Sequence, residues 1–428
     1  MKKLVSILLS LMLVAVSGLA AAQANPYEVT EPITIEYWHA MESQYDGLMQ
    51  EMVAAFHEQY PLITVEPIYI GSYTVLNEKF IAANAAGEVP AISMSNTNYV
   101  APYGDSGVCE PLTDYIAASG YDIEDIGVGL QASTQYDGVQ ISLPCNISTQ
   151  VMYYNKTAAE AEGIEMPKTW DEMDAFVKKA TVKNADGTTA RYALAIGAWD
   201  YWYFETLFMN NGVKVINDDG ETTDINGEVA AAMTAQIQQW CKDGYAYVAY
   251  GSEASPNMRQ SFMDGKVFAV THTSSLYEKT YKAKSPFEVG IAWYPTGTAG
   301  TKISEVGGSV LFIPSKASQE QKNAAWLFLQ FVTSKENNIY WAENSGYLPT
   351  RQSALTGPDA EKYLETKPAF QVVFENLNEI NPRNQNPIYA TIATMWAEGF
   401  AKICVDGADV QSTLDEYAEL INETLQDQ

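Results

Sequence analysis

The chain has 428 residues, 47% of them hydrophobic and 12% aromatic, which is enough for two medium-sized cores. Its formal net charge of −28 excludes nucleic acid and anionic membrane as partners, because a surface of that sign repels both. An anionic ligand would then need a local device: a placed arginine, or backbone N–H groups at helix N-termini.

The N-terminus reads as a cleaved export signal. Lys2-Lys3 form a basic start, Leu4 to Val16 is almost continuously apolar, and Ala22-Gln23-Ala24 fits a small-x-small cleavage site. Loss of Lys2 and Lys3 with the signal deepens the charge to −30. No cysteine sits at the cleavage region, so a lipid anchor is not expected, and no later stretch is apolar enough to span a bilayer. A periplasmic protein follows.

Ile33-Thr34-Ile35-Glu36-Tyr37-Trp38 alternates as an opening strand. Helical spacing from Tyr45 ends before Pro61, and Ile63–Ile68 is a second strand. A helix over 73–86 stopped by Gly87 precedes a third strand, Pro90–Met94. This is a parallel α/β pattern, whose ligands sit at the carboxyl ends of the strands. The loops at Trp38-His39, Gly71-Ser72-Tyr73 and Ser95–Asn98 should therefore face one crevice.

Leu143–Lys156 is the pivotal stretch. Apolar β-formers flank a polar break, Asn146-Ile147-Ser148-Thr149, as in a strand that crosses between two lobes. An ordinary buried strand with a polar kink is the competing reading. Thr169 with Glu172 three on makes a capping box opening at Trp170. The aromatic run Trp199–Phe204, a helix over 228–242 and a strand ending at Thr271–Ser275 follow. Ile303–Pro314 is a strand with a glycine pair, Gly307-Gly308, which marks a bulge or close backbone approach and a second crossing. Helix 319–334, the turn Gly346-Tyr347-Leu348-Pro349 and helices to the end complete the chain.

No serine-hydrolase elbow, Walker loop or HExxH motif is present. The three histidines lack metal-pair spacing; His39 and His272 lie at strand ends, where either can line the cleft. Cys109, Cys145, Cys241 and Cys404 are widely spaced, which argues against zinc and leaves disulfides and buried thiols both open. No metal or cofactor is expected. Asp200 and Glu205 beside Trp199 and Trp202 are the best glycosidase pair on offer, but acids beside aromatics equally suit hydroxyl binding. Aromatic and hydroxyl residues recur at strand ends, as a site for a small polyhydroxylated or phosphorylated molecule requires. Arg383, in the Pro382–Pro387 loop, is the candidate anion clamp.

Trp38–Glu42, Tyr69–Tyr73, Pro144–Lys156 (with NIST and YYNK), Pro167–Trp170, the Trp199–Gly212 run, Gly307-Gly308 and Ser345–Thr350 (SGYLPT) together resemble the extracytoplasmic solute-binding proteins of ABC importers, in the branch that binds sn-glycerol 3-phosphate. The resemblance implies an α/β fold of two lobes, a Venus flytrap with several hinge crossings. It divides the chain into a signal at 1–24, a first lobe from 25–147 and 303–345, and a second from 148–302 and 346–428. It also implies a non-enzymatic, monomeric carrier that hands a glycerophosphate, glycerophosphodiester or sugar to permease transmembrane subunits. Carried over by position, it puts Tyr73, Ser148, Ser274 or Ser275, Gly307 or Gly308, Tyr347 and Arg383 in the cleft, with Trp170, Trp199 and Trp202 beside them. Where that branch has a glutamate for the glycerol hydroxyls, the aligned residue is Thr97. An oligosaccharide carrier of the same fold, or a secreted glycosidase or phosphodiesterase, are the alternatives.

Overall fold

The computed structural model describes residues 27–427; the expected export signal lies outside them. Among the described residues, two α/β lobes share one sheet of eleven strands.

In the first lobe, Ile33–His39, Ile63–Tyr69 and Ile92–Asn96 run parallel. The alternation of the opening strand buries Ile35 and Tyr37 while Thr34 and Glu36 stay partly or fully exposed. Asp46–Gln59 and Tyr73–Ala86 are the connecting helices. Ser72 caps the second, its Oγ accepting from the Val75 N–H, and Gly87 ends it with a left-handed φ of 78°. Phe56, Trp326 and Phe328 anchor this core.

In the second lobe, Thr189–Gly197 pairs in parallel with Ala246–Ala249 on one side and Val267–Thr273 on the other. One core lies around Phe208, Trp240 and Trp396, another around Tyr153, Phe262 and Tyr281. Thr169 and Glu172 form the expected capping box.

Leu143–Asn155 crosses between the lobes. Leu143 to Thr149 pair with Ser304–Phe312 of the first lobe's sheet; from Gln150 onward the partners are Val267–Thr273 and Val289–Ala292. The pause expected at Asn146–Thr149 does not occur, and the strand runs unbroken for 13 residues. Its polar side chains are satisfied laterally instead: Asn146 Nδ2 donates to Ser309 Oγ at 3.0 Å, and Thr149 Oγ1 to Ser304 Oγ at 2.7 Å. The interruption falls on the partner strand, whose register shifts between Ser309 and Val310. A further tie comes at Leu348, whose N–H donates to the Ile147 carbonyl at 2.7 Å.

All four cysteines are free thiols. Cys145, in the crossing strand, donates to the Ser309 carbonyl at 3.4 Å, so it packs the crossing without a covalent lock. No described helix is long and apolar enough to cross a membrane.

Candidate functional site

The parallel strands of both lobes end on the same crevice. His39, Tyr69 and Asn96 terminate the first lobe's strands; Gly197, Ala249 and Thr273 terminate the second's. Leu143–Asn155 and Ser304–Phe312 supply the floor, where Ser148 stands opposite Gly307 and Ile147 opposite Gly308.

Trp202 decides why the floor needs glycine. A Cβ on Gly307 would lie 2.5 Å from Trp202 Cζ2 and 2.9 Å from Ser148 Oγ. Gly308 has φ +103°, and its Cβ would fall 1.7 Å from the Asn146 carbonyl oxygen, so no other residue fits there. Trp202 is buried, and the Arg383 guanidinium stacks 5.1 Å from its ring and 5.9 Å from Tyr201. Arg383 Nε donates to the Val306 carbonyl at 3.3 Å, beside the glycine pair, while Nη1 is buried without a protein partner. Ser148, Trp202, Gly307, Gly308 and Arg383 thus form one cluster.

Tyr73 and Tyr347 close on it, and Tyr347 packs with the first-lobe core although 346–428 was expected in the second lobe. Burial pushes the Tyr73 phenol up, and Ser309, Cys145, Tyr45 and Arg383 are the groups its charge would feel. Tyr347 lies 5.9 Å from Tyr45, its carbonyl accepting from the Tyr363 hydroxyl at 3.2 Å. Its phenol is raised by burial, with Tyr45, Tyr73 and Ser275 around it. Ser274 is committed elsewhere: its Oγ accepts from the Thr149 N–H at 3.1 Å, so of the serine pair it is Ser275 that neighbours Tyr347. Trp199 folds back over Gly197, 4.6 Å from Tyr203 and 5.5 Å from His272, on the second-lobe wall. Trp170 is not brought to the cluster. It lies in the second-lobe core against Trp240 at 5.7 Å, with its N–H on the Thr296 carbonyl.

Under Arg383 lie carboxylates that the sequence offered as a hydrolytic pair only in part. Glu205 is buried and accepts from the Tyr389 hydroxyl, and Glu305 is buried one residue before Val306. Burial, then the neighbouring Glu305, pushes Glu205 well above the carboxylate range. Burial pushes Glu305 up to about 7, against the pull of Arg383. Burial opposes the charge of Arg383 itself, but Tyr201, Asp200 and Glu305 hold its guanidinium protonated. Asp200 and Glu305 are the acids whose charge acts on the buried arginine; Glu205, enclosed beneath Tyr389, holds its proton.

Sequence reading missed Tyr45, which packs on Tyr347, Tyr203, which packs on Trp199 and Trp202, and Glu305. The two tyrosines sit within a turn and a helix, where nothing in the local pattern separates an aromatic beside the site from a structural one. Thr97 is buried just past the end of Ile92–Asn96 with its hydroxyl unpartnered, as are the amide oxygens of Asn96 and Asn98. Among the described residues no group of three or more His, Cys, Asp or Glu is placed to hold a metal ion.

The family model for bacterial extracellular solute-binding proteins matches residues 51–370. The sn-glycerol-3-phosphate-binding periplasmic protein UgpB of Salmonella typhimurium is 26% identical over 372 residues, covering 83% of each chain. Its counterpart in Escherichia coli O6:H1 is 26% identical over 369 residues, 82% of this chain and 81% of that one. Among solved structures, UgpB from Mycobacterium tuberculosis in complex with glycerophosphocholine superposes with a TM-score of 0.81 at 24% identity, over 93% of this chain and 99% of that one. The GacH receptor of Streptomyces glaucescens, solved unliganded and with acarbose, gives 0.79 at 20% identity, over 93% and 100%.

Proposed function

The chain belongs to the bacterial extracellular solute-binding proteins, and from that premise we propose that it captures a glycerophosphate compound between its lobes and delivers it to an ABC permease. No bond is made or broken. It acts as an exported monomer, its residues 1–24 removed on export. The relatives named for sn-glycerol 3-phosphate and the neighbour that holds glycerophosphocholine support the ligand class.

The observation that carries the reading is Arg383. In a chain this acidic, a buried guanidinium between Tyr201 and Trp202, with Nη1 free of any protein partner, is the local device an anion needs. The phosphate takes Nη1, and the Gly307-Gly308 stretch lets it approach the backbone closely. Ser148 and Tyr73 take the hydroxyls. Thr97 offers one hydroxyl where a carboxylate would accept from two, and Asp200 and Glu305 already offset part of the Arg383 charge. A singly charged phosphodiester therefore suits the site better than a doubly charged monoester. The ligand closes the lobes only by its greater affinity for the closed arrangement.

A thermal-shift panel of glycerol 3-phosphate, glycerophosphocholine, maltose and inorganic phosphate tests this. At a concentration about 100-fold above Kd the stabilisation is about 2.7 kcal/mol. The glycerophospho compounds should shift the transition, and Arg383→Met, which keeps apolar contact with Trp202, should abolish those shifts. A shift with maltose alone would favour the second reading, an oligosaccharide carrier, to which the half-buried Trp199 ring beside Tyr203 would suit a sugar face.

A further inference from the structure

Behind the floor of the cleft lies a cavity of about 790 Å³ that the glycerophosphate reading leaves unused. Ile147 precedes Ser148 and Val306 precedes Gly307 on their strands, so their side chains point away from the cleft cluster. Both line this cavity, and Pro382, the residue before Arg383, joins them. Leu130, Leu348 and Ile380 complete the apolar wall and pack in the same core as Ile147 and Val306. The cavity spans the hinge. Leu130 belongs to the helix Val128–Ala132, ahead of the crossing strand, whereas Ile380 belongs to a short strand that pairs in parallel with Ser304–Glu305. Val306 serves both faces: its side chain lines the cavity and its carbonyl accepts from Arg383 Nε at 3.3 Å.

Its chemistry differs from that of the clamp. Among the described residues no lysine or arginine lines it. Its one charged residue, Asp125, is already committed: Oδ1 accepts from the Ser353 N–H at 2.8 Å and Oδ2 from the Ser353 hydroxyl at 2.7 Å. Thr350, 0% exposed, belongs to the wall, and its hydroxyl has no partner. Small-molecule sites run to about 300–1,000 Å³ and are mostly apolar with a few polar groups, which is the character of this cavity. An apolar wall with a carboxylate and no cation disfavours an anion and suits an uncharged molecule.

We propose that this cavity is a regulatory site for an uncharged, largely apolar small molecule with one hydrogen-bonding group, and that its occupant raises affinity in the cleft. The cavity and the assembled clamp occur in one arrangement, with Arg383 stacked on Trp202 and bonded to the Val306 carbonyl. A molecule that fits the cavity favours that arrangement over any in which the lobes have turned about the crossing strands. It therefore favours whatever the same arrangement holds in the cleft. By linkage the cleft ligand tightens the rear occupant by the same factor. The inference holds for a glycerophosphate compound or a sugar in the cleft.

Fluorescence titration of the full mature chain with N-phenyl-1-naphthylamine, an uncharged dye that brightens in apolar surroundings, tests it. The dye should bind, and its 8-sulfonate, the same rings with a negative charge, should bind on the order of tenfold more weakly. Saturating glycerophosphocholine, or maltose if maltose alone shifts the melting transition, should tighten the dye on the order of fivefold or more. Calorimetry should show the dye tightening that ligand by the same factor. Thr356→Trp, at an exposed position on the cavity wall, should remove dye binding without unfolding the chain. Arg383→Met should abolish glycerophosphocholine binding and leave dye binding in place. Absence of dye binding, equal binding of the sulfonate, or dye affinity unchanged in Thr356→Trp overturns the site. Displacement of the dye by the cleft ligand, or indifference to it, overturns the coupling. A dye that behaves as expected with maltose while no glycerophospho compound binds overturns the phosphate reading alone.

Discussion

Replacing Gly307 by alanine probes the fit between the floor and the phosphate clamp with one methyl group. The new Cβ would stand 2.5 Å from Trp202 Cζ2 and 2.7 Å from Cη2, where a carbon contact needs well over 3 Å. Trp202 has little room to yield, since Tyr203 packs 5.1 Å from its ring and the Arg383 guanidinium lies at the same distance. Overpacking of this kind costs about 1–3 kcal/mol. Spread over the unfolding entropy of some 400 residues, that lowers the melting temperature by about 1–4 °C. The larger effect falls on the ligand. Pushing the indole off Arg383 loses a cation–π contact of about 0.5–2 kcal/mol and moves Nη1 away from the phosphate, so affinity should drop on the order of tenfold or more. Calorimetry with the ligand that gives the largest thermal shift reads affinity, and a melting curve without ligand reads stability. Unchanged affinity in Gly307→Ala would refute the contact between Trp202, the glycine pair and the clamp. Loss of fold without ligand would show instead that the crossing tolerates no side chain at all.

Two further outcomes follow. Glu305, held up to about 7 by burial against an ordinary value of 4.5, binds its proton more tightly folded than unfolded. Its contribution to stability is therefore full below about 4.5 and is lost as the pH rises through about 7; over the upper part of that window a new carboxylate charge beside Arg383 should weaken phosphate binding, and Glu305→Gln should flatten both trends. A wild-type affinity independent of pH between 6 and 8 would count against this balance. Trp170→Phe should cost about 1–3 kcal/mol of stability through the second-lobe core and leave ligand affinity unchanged, since the ring packs on Trp240; a selective loss of affinity would return Trp170 to the cleft.

The lobes were legible because alternation and helical spacing are strong where strands are half exposed. Ile33–Trp38 and the helices at 73–86 and 228–242 fall where the pattern places them. The crossing strand was harder. Asn146, Ser148 and Thr149 read as a break because hydroxyl and amide groups seldom occupy a buried strand, yet lateral bonds to Ser304 and Ser309 keep the ladder intact. Those partners lie more than 150 residues downstream, beyond the reach of any local pattern. The glycine pair was visible as a close approach, but that the approaching group is Trp202 is a tertiary fact. Trp170 was drawn toward the cleft by its motif alone, and its burial against Trp240 depends on a helix some 70 residues later.

The antiparallel place of Ser304–Phe312 between Ile92–Asn96 and Leu143–Asn155 has a consequence for biogenesis. The first lobe's sheet lacks an interior strand until the chain beyond Phe312 exists, and the whole second-lobe sheet lies between. Closing a loop of that length is entropically slow. A nascent or truncated chain ending before the glycine strand is left with two unpaired strand edges and no complete core. Such a chain folds late and as one unit, which is compatible with remaining unfolded until synthesis is finished.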